Sequence, residues 1–85
     1  MSENTRQMRQ VLWFFNHNHD LAVPCGEDSF IYRLIRAACK ADQTNRGRLY
    51  FGFPALVWAV EVIQGEDYGY DKVARAIREE EGAPL

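Results

Sequence analysis

A nearly continuous apolar run, Leu49 to Ile63, constrains the fold of this chain more than any other segment. Only Gly52, Pro54 and Glu61 interrupt its apolar residues. A helix that is apolar on all sides must be surrounded by other elements. The run is also too short to cross a bilayer, which takes about 20 apolar residues. We therefore expect it to form the core of the domain.

The size and composition of the chain set the frame for this core. A length of 85 residues predicts a single domain covering residues 1–85. A hydrophobic fraction of 47% is typical of globular proteins and argues against disorder. Because a short chain buries only about 60% of its unfolded surface, its stability margin is small. Binding to a partner or to a second copy would add to that margin.

The segments around the run predict an all-α bundle of about four helices with the apolar helix at its centre. In the first helix, Met8, Val11, Leu12 and Phe15 form one apolar face. The segment 48–53 has no evident partner strand, and we interpret it as an extended lead into the central helix. Helices are expected at residues 4–16, from residue 28 or 29 up to the stop signals at 45 and 47, at 54–64, and at 71–81.

Trp13 is the first candidate contact residue. At 100° per residue it lies away from the apolar face of the first helix, on the side of Arg6 and Arg9. Tryptophan and arginine are typical anchors of protein interfaces. We expect these three residues to contact a partner, unless a second element of the domain covers Trp13.

A second candidate surface is basic. Between residues 33 and 48 the only acidic residue is Asp42, and Tyr32 lies beside the cations. This basic stripe could bind an acidic protein, or it could bind nucleic acid with Tyr32 stacked on a base, although a solvated helix face is the simpler interpretation. Since the segment 66–85 is acidic, the stripe could also meet the tail of a second copy in a homodimer. The basic stripe consists of Arg33, Arg36, Lys40, Arg46 and Arg48.

Metal binding and catalysis have weaker support. His17, His19, Cys25 and Cys39 are all the histidines and cysteines of the chain and could in principle hold zinc. Their spacing matches no standard zinc pattern, so we predict no metal and no cofactor. A pair of Cys25 with a histidine lacks a recognisable oxyanion hole or orienting acid, and the glycines form no phosphate-binding pattern. We therefore expect that the protein is not an enzyme.

The aromatic content favours a binding function. Two tryptophans, four tyrosines and five phenylalanines are many for one small core, so some should remain for contact. We predict a non-catalytic protein–protein interaction module, a small regulator or inhibitor that binds a larger partner or acts as a homodimer. A nucleic-acid-binding accessory protein and a zinc-stabilised domain are the alternatives. The polar start MSENTRQ predicts a cytoplasmic location with reduced cysteines and no membrane association.

Overall fold

A computed structural model describes residues 1–82, which form five α-helices and no strand. The predicted all-α class is confirmed, with one helix more than the four expected. None of the helices in this part of the chain has the length and apolar character that crossing a membrane requires. The helices are α1 (Glu3–Phe15), α2 (Phe30–Lys40), α3 (Gln43–Gly52), α4 (Pro54–Gly65) and α5 (Gly69–Glu81).

The central element is α4, which packs against all four other helices. Proline suits its first position because its fixed φ matches the helix and its missing N–H would be unpaired there anyway. One edge of α4 stays in solvent, and Glu61 and Gln64 lie on it, as expected for Glu61. The prediction that this helix forms the centre of the core is thus confirmed. Its buried residues are Leu56, Val57, Ala59, Val60 and Val62.

The first two helices begin at serine caps and cover α4 from two sides. The side-chain oxygen of Ser2 accepts a hydrogen bond from the backbone N–H of Thr5, and that of Ser29 accepts one from Tyr32. Between these helices the backbone N–H of Val23 donates to the carbonyl of Arg9 at 3.2 Å, which holds the connecting loop against α1. The apolar residues buried by α1 and α2 are Met8, Val11, Leu12, Leu34, Ile35 and Ala38.

The third helix corrects the sequence interpretation of residues 42–53. Asp42 caps α3 by accepting a hydrogen bond from the backbone N–H of Asn45 at 2.8 Å, and the N–H of Phe53 closes the helix on the carbonyl of Leu49 at 2.8 Å. The segment 48–53 is therefore helical rather than extended. Gly47 lies within the helix instead of ending it, at a cost of about 1 kcal/mol relative to alanine. No residue of α3 is buried.

The last helix follows a short turn with a left-handed residue. Tyr68 has a φ of 59° and is the only non-glycine residue with positive φ within residues 1–82. The next residue, Gly69, lies so close to α4 that a Cβ atom there would stand 2.6 Å from the Cα of Ile63. This close approach lets α5 bury Val73 and Ile77 in the core.

Candidate protein-binding surfaces

Trp13 is half-buried rather than fully exposed. Its ring stacks on the imidazole of His17 with centroids 4.3 Å apart and meets the ring of Tyr32 edge-on at 6.4 Å. Tyr32 also lies 5.0 Å from Phe14. Helix α2 therefore covers part of the indole, which was the alternative left open for Trp13, and the same packing holds Tyr32 in place.

The two arginines grouped with Trp13 lie in different environments. Arg6 is exposed, whereas the Arg9 side chain retains only 17% of its exposure and forms an ion pair with Glu81. A guanidinium nitrogen of Arg9 also donates to the carbonyl of Leu21 at 3.1 Å. The hydrogen bond from Arg9 holds the pKa of the Glu81 carboxyl below its ordinary value, although partial desolvation opposes the shift. Arg9 thus joins α1 to α5 and to the loop after α1.

The basic stripe divides into exposed cations and one structural arginine. Arg46 donates to the carbonyls of Ala38 at 3.1 Å and Cys39 at 3.3 Å, and to the side-chain oxygen of Gln64 at 2.7 Å. It therefore caps the end of α2 and ties α3 to α4. The other members, which lie exposed on α2 and α3, are Arg33, Arg36, Lys40 and Arg48.

The exposed cations have little compensating charge. Arg33 pairs with Asp28 at 3.8 Å, but both side chains are largely in solvent, where such a pair contributes little. Within residues 1–82, Arg36, Lys40 and Arg48 form no ion pair. Most of the positive charge of the stripe is therefore not compensated by a nearby acidic residue.

An open groove of about 350 Å³ lies between α2 and α3 at the end of the stripe. Small and apolar side chains form much of its wall, and Lys40 and Arg48 place positive charge on it. The cations were predictable from the sequence but the groove was not, because the groove exists only if residues 43–52 are helical. We call this site the basic groove; it is lined by Ala37, Lys40, Ala41, Asn45, Arg48 and Leu49.

A second surface, whose residues were not among the predicted contact residues, is aromatic. On α3, Tyr50 is 51% exposed and Phe51 is 93% exposed. Tyr50 and the half-buried Trp58 of α4 line a further groove of about 310 Å³. We call Tyr50, Phe51 and Trp58 the aromatic face. The other residues of its groove are Asn4, Met8, Pro54, Ala55, Ala76 and Glu80.

The sequence held a signal for Trp58. Pro54 and Glu61 interrupt the apolar run two helical turns apart, so they mark one edge of α4, and Trp58 lies between them on that edge. No comparable signal marks Phe51, because the exposure of its ring depends on α3 being a helix that buries nothing.

None of the histidines and cysteines lines either groove. His17 is exposed, and the Nδ1 atom of His19 accepts a hydrogen bond from the backbone N–H of Leu21 at 3.0 Å. Cys25 is buried and Cys39 half-buried, and desolvation raises the pKa of both thiols. Among the described residues no three histidine, cysteine or acidic side chains come together as metal ligands. The geometry therefore gives the zinc hypothesis no support.

The two surfaces offer different kinds of contact. The basic groove combines positive charge with an apolar wall, and the aromatic face supplies ring area with a half-buried tryptophan beside it.

Compared with known proteins, the chain matches no protein-family model, no curated protein and no solved structure.

Proposed function

We propose that this protein is a non-catalytic protein-binding module, a small cytoplasmic regulator or inhibitor that acts by covering a surface of a larger partner. The observation that carries this proposal is the exposure of Tyr50 and Phe51 on α3. A helix that buries none of its own residues contributes little to the core, yet it holds two aromatic rings in solvent.

Aromatic side chains on a surface favour binding for an energetic reason. Removing a phenylalanine side chain from water contributes about 1.5–3 kcal/mol, and in Phe51 almost all of that is still available because the residue is 93% exposed. Tyrosine and tryptophan are enriched at interfaces, where they act as anchors. Trp58 extends the aromatic face into a groove that a partner side chain can enter.

The test is capture of partner proteins by three forms of the immobilised domain. The first is the wild type, the second is the variant Tyr50→Ser/Phe51→Ser, and the third is Tyr68→Asn as the matched control. Tyr68 is also an exposed aromatic residue, at 79%, but it lies beyond the opposite end of α4, and asparagine tolerates its left-handed backbone. We expect the wild type and Tyr68→Asn to retain the same partner and the double variant to lose it.

Two further measurements make the result decisive. Circular dichroism should show the same helical signal for all three forms, since the substituted side chains are exposed. Light scattering of the purified domain shows whether the partner is a second copy, in which case the double variant lowers the molar mass. Equal capture by all three forms, with no change in molar mass, would contradict the proposed role of the aromatic face.

A further inference from the structure

We propose that the basic groove binds an acidic segment of a partner protein and seats one apolar side chain of that segment between α2 and α3. The proposal rests on the proposed function, because it gives the chemistry of one partner segment. It uses a different surface from the aromatic face, so each of the two surfaces can be tested alone.

The exposed face of α2 has the spacing of a continuous contact strip. Arg36 and Ala37 lie three and four residues after Arg33, Lys40 lies four and three residues after them, and all four residues are exposed. Residues at these intervals lie on one side of a helix. The strip leads into the groove, because Ala37 and Lys40 line it.

The groove itself favours an apolar side chain with charge around it. Ala37, Ala41 and Leu49 supply methyl groups, and Lys40 and Arg48 supply the positive charge. The guanidinium of Arg48 donates to the side-chain oxygen of Asn45 at 3.2 Å, which keeps it at the groove. A leucine-sized side chain flanked by carboxylates matches this combination.

The groove is preformed by the contacts of Arg46. Its hydrogen bonds to the last carbonyls of α2 and to Gln64 fix the position of α3 beside α2. A site that is already in its bound geometry saves the ordering cost that a flexible site would have to meet on binding. Arg46 is therefore a positioning residue of the groove rather than a contact residue.

Charge selects an acidic occupant. Arg36, Lys40 and Arg48 have no ion-pair partner within residues 1–82. The nearest acid along the chain, Asp42, uses an oxygen to accept the backbone N–H that caps α3. Uncompensated cations on a surface raise the association rate with negatively charged partners and discriminate against positively charged ones.

Three observations favour a protein segment over nucleic acid. Tyr32, the ring beside the stripe, is packed on Trp13 and Phe14. An apolar wall offers nothing to a phosphate backbone. The formal net charge of the chain is −2, and only a few exposed cations offer phosphate contacts, whereas nucleic-acid affinity depends on many.

The probe is a short fluorescein-labelled peptide of repeating Glu-Glu-Leu, followed by fluorescence anisotropy and by amide chemical shifts of the domain. We expect shifts concentrated at the residues of the basic groove and a loss of affinity of about tenfold or more in Lys40→Glu/Arg48→Glu. The matched control is Arg75→Glu/Arg78→Glu, which makes the same charge change at exposed cations of α5 and should retain the affinity to within about twofold. Ala37→Trp, at an exposed position, should weaken binding by filling the groove without changing the charge.

Matched probes separate the contributions. A Gln-Gln-Leu peptide and a Glu-Glu-Ser peptide should both bind more weakly than Glu-Glu-Leu, since the first lacks the charge and the second the apolar side chain. The Tyr50→Ser/Phe51→Ser variant should bind the peptide like the wild type. Loss of peptide binding in that variant would place the peptide on the aromatic face and overturn the inference.

Several other results would also overturn it. They are no binding of Glu-Glu-Leu by the wild type, equal loss of affinity in both charge-reversal variants, and tighter binding of a single-stranded oligonucleotide that depends on Lys40 and Arg48. A molar mass of a dimer that falls to a monomer in Lys40→Glu/Arg48→Glu would show that a second copy occupies the groove instead. If peptide binding fails while capture through the aromatic face persists, this inference falls and the proposed function stands.

Discussion

Helices α3 and α4 are consecutive in the chain, joined only by Phe53, and yet they are stabilised in different ways. Phe53 ends α3 and begins α4. The 12 residues of α4 include five buried apolar side chains, while the 10 residues of α3 include none. Helix α4 is held by packing, whereas α3 is held by its Asp42 cap, by the hydrogen bonds of Arg46 and by the half-buried Leu49.

The difference shows that one apolar run serves two purposes. Its second part, from Pro54 on, lies at the centre of the core, and its first part carries Tyr50 and Phe51 into solvent. Apolar residues on a helix that contributes little burial are available for contact with another molecule. We expect α4 to set the stability of the domain and α3 to set what the domain binds.

The largest test of this division compares one leucine in each helix. Leu56 of α4 is completely buried, so Leu56→Ala should lower the free energy of unfolding by about 2–5 kcal/mol. Leu49 of α3 is half-buried, and Leu49→Ala should cost about 1 kcal/mol. Urea denaturation followed by circular dichroism measures both. Similar costs for the two variants would mean that α3 is part of the core after all.

Replacing two glycines by alanine, one at a time, should change the free energy of unfolding in opposite directions. In Gly69→Ala the new Cβ would meet backbone atoms of α4 at 2.6 Å, so we expect a loss of about 1–3 kcal/mol from the forced separation of α4 and α5. At Gly47 in α3 no atom lies within 4 Å of such a Cβ, and Gly47→Ala should add about 0.5–1 kcal/mol through helix propensity. Thermal denaturation of both variants reports the signs directly. If Gly47→Ala lowered the stability, the space around residue 47 would have to be filled by neighbouring atoms.

The anchoring of α3 can be tested with two neighbouring arginines. Arg46→Met removes the hydrogen bonds to α2 and α4 and should cost about 1 kcal/mol, with faster hydrogen exchange confined to α3. Arg48→Met alters an exposed side chain of the same helix and should leave exchange rates and stability nearly unchanged. Equal exchange in the two variants would mean that Arg46 does not hold α3 in place.

The smallest expected effect is on the thermal stability of the domain at low pH. The folded-state pKa of Glu81 lies below its ordinary value of 4.5, because Arg9 donates a hydrogen bond to the ionised carboxylate. The pair therefore stabilises the fold above the unfolded pKa, and its contribution is lost as pH falls through the lower folded-state value. In melting curves at decreasing pH, Glu81→Gln should show less acid destabilisation than the wild type. The same pH dependence of melting in both proteins would show that the ion pair of Arg9 with Glu81 does not contribute to stability.

Sequence patterns predicted the parts of this fold that depend on apolar periodicity. They located α4, the apolar face of α1 around Val11 and Leu12, and the serine cap of α2. They missed α3 for two reasons. Asn45 and Gly47 are typical of helix ends, and α3 buries no face, so its apolar residues lack helical spacing. Its stabilising contacts come from Arg46 reaching residues of two other helices, which no local pattern records.

The candidate site was predictable to a similar extent. Three cations of the stripe, Arg33, Arg36 and Lys40, lie on the exposed face of α2 as predicted, since charge spacing on a helix follows directly from the sequence. The separate roles of Arg9 and Arg46 could not be predicted, because each depends on an acceptor that is distant along the chain or on a helix that was not expected.

The position of α1 imposes an order in time on the folding of the chain. This helix is synthesised before α4 and α5, yet Val11 and Leu12 reach their buried positions only when those later helices lie against it. During translation its apolar stripe stays uncovered, so the nascent chain is exposed to aggregation and to chaperone capture until α5 emerges. Slowing the ribosome while α5 is still inside the exit tunnel would prolong that vulnerable interval.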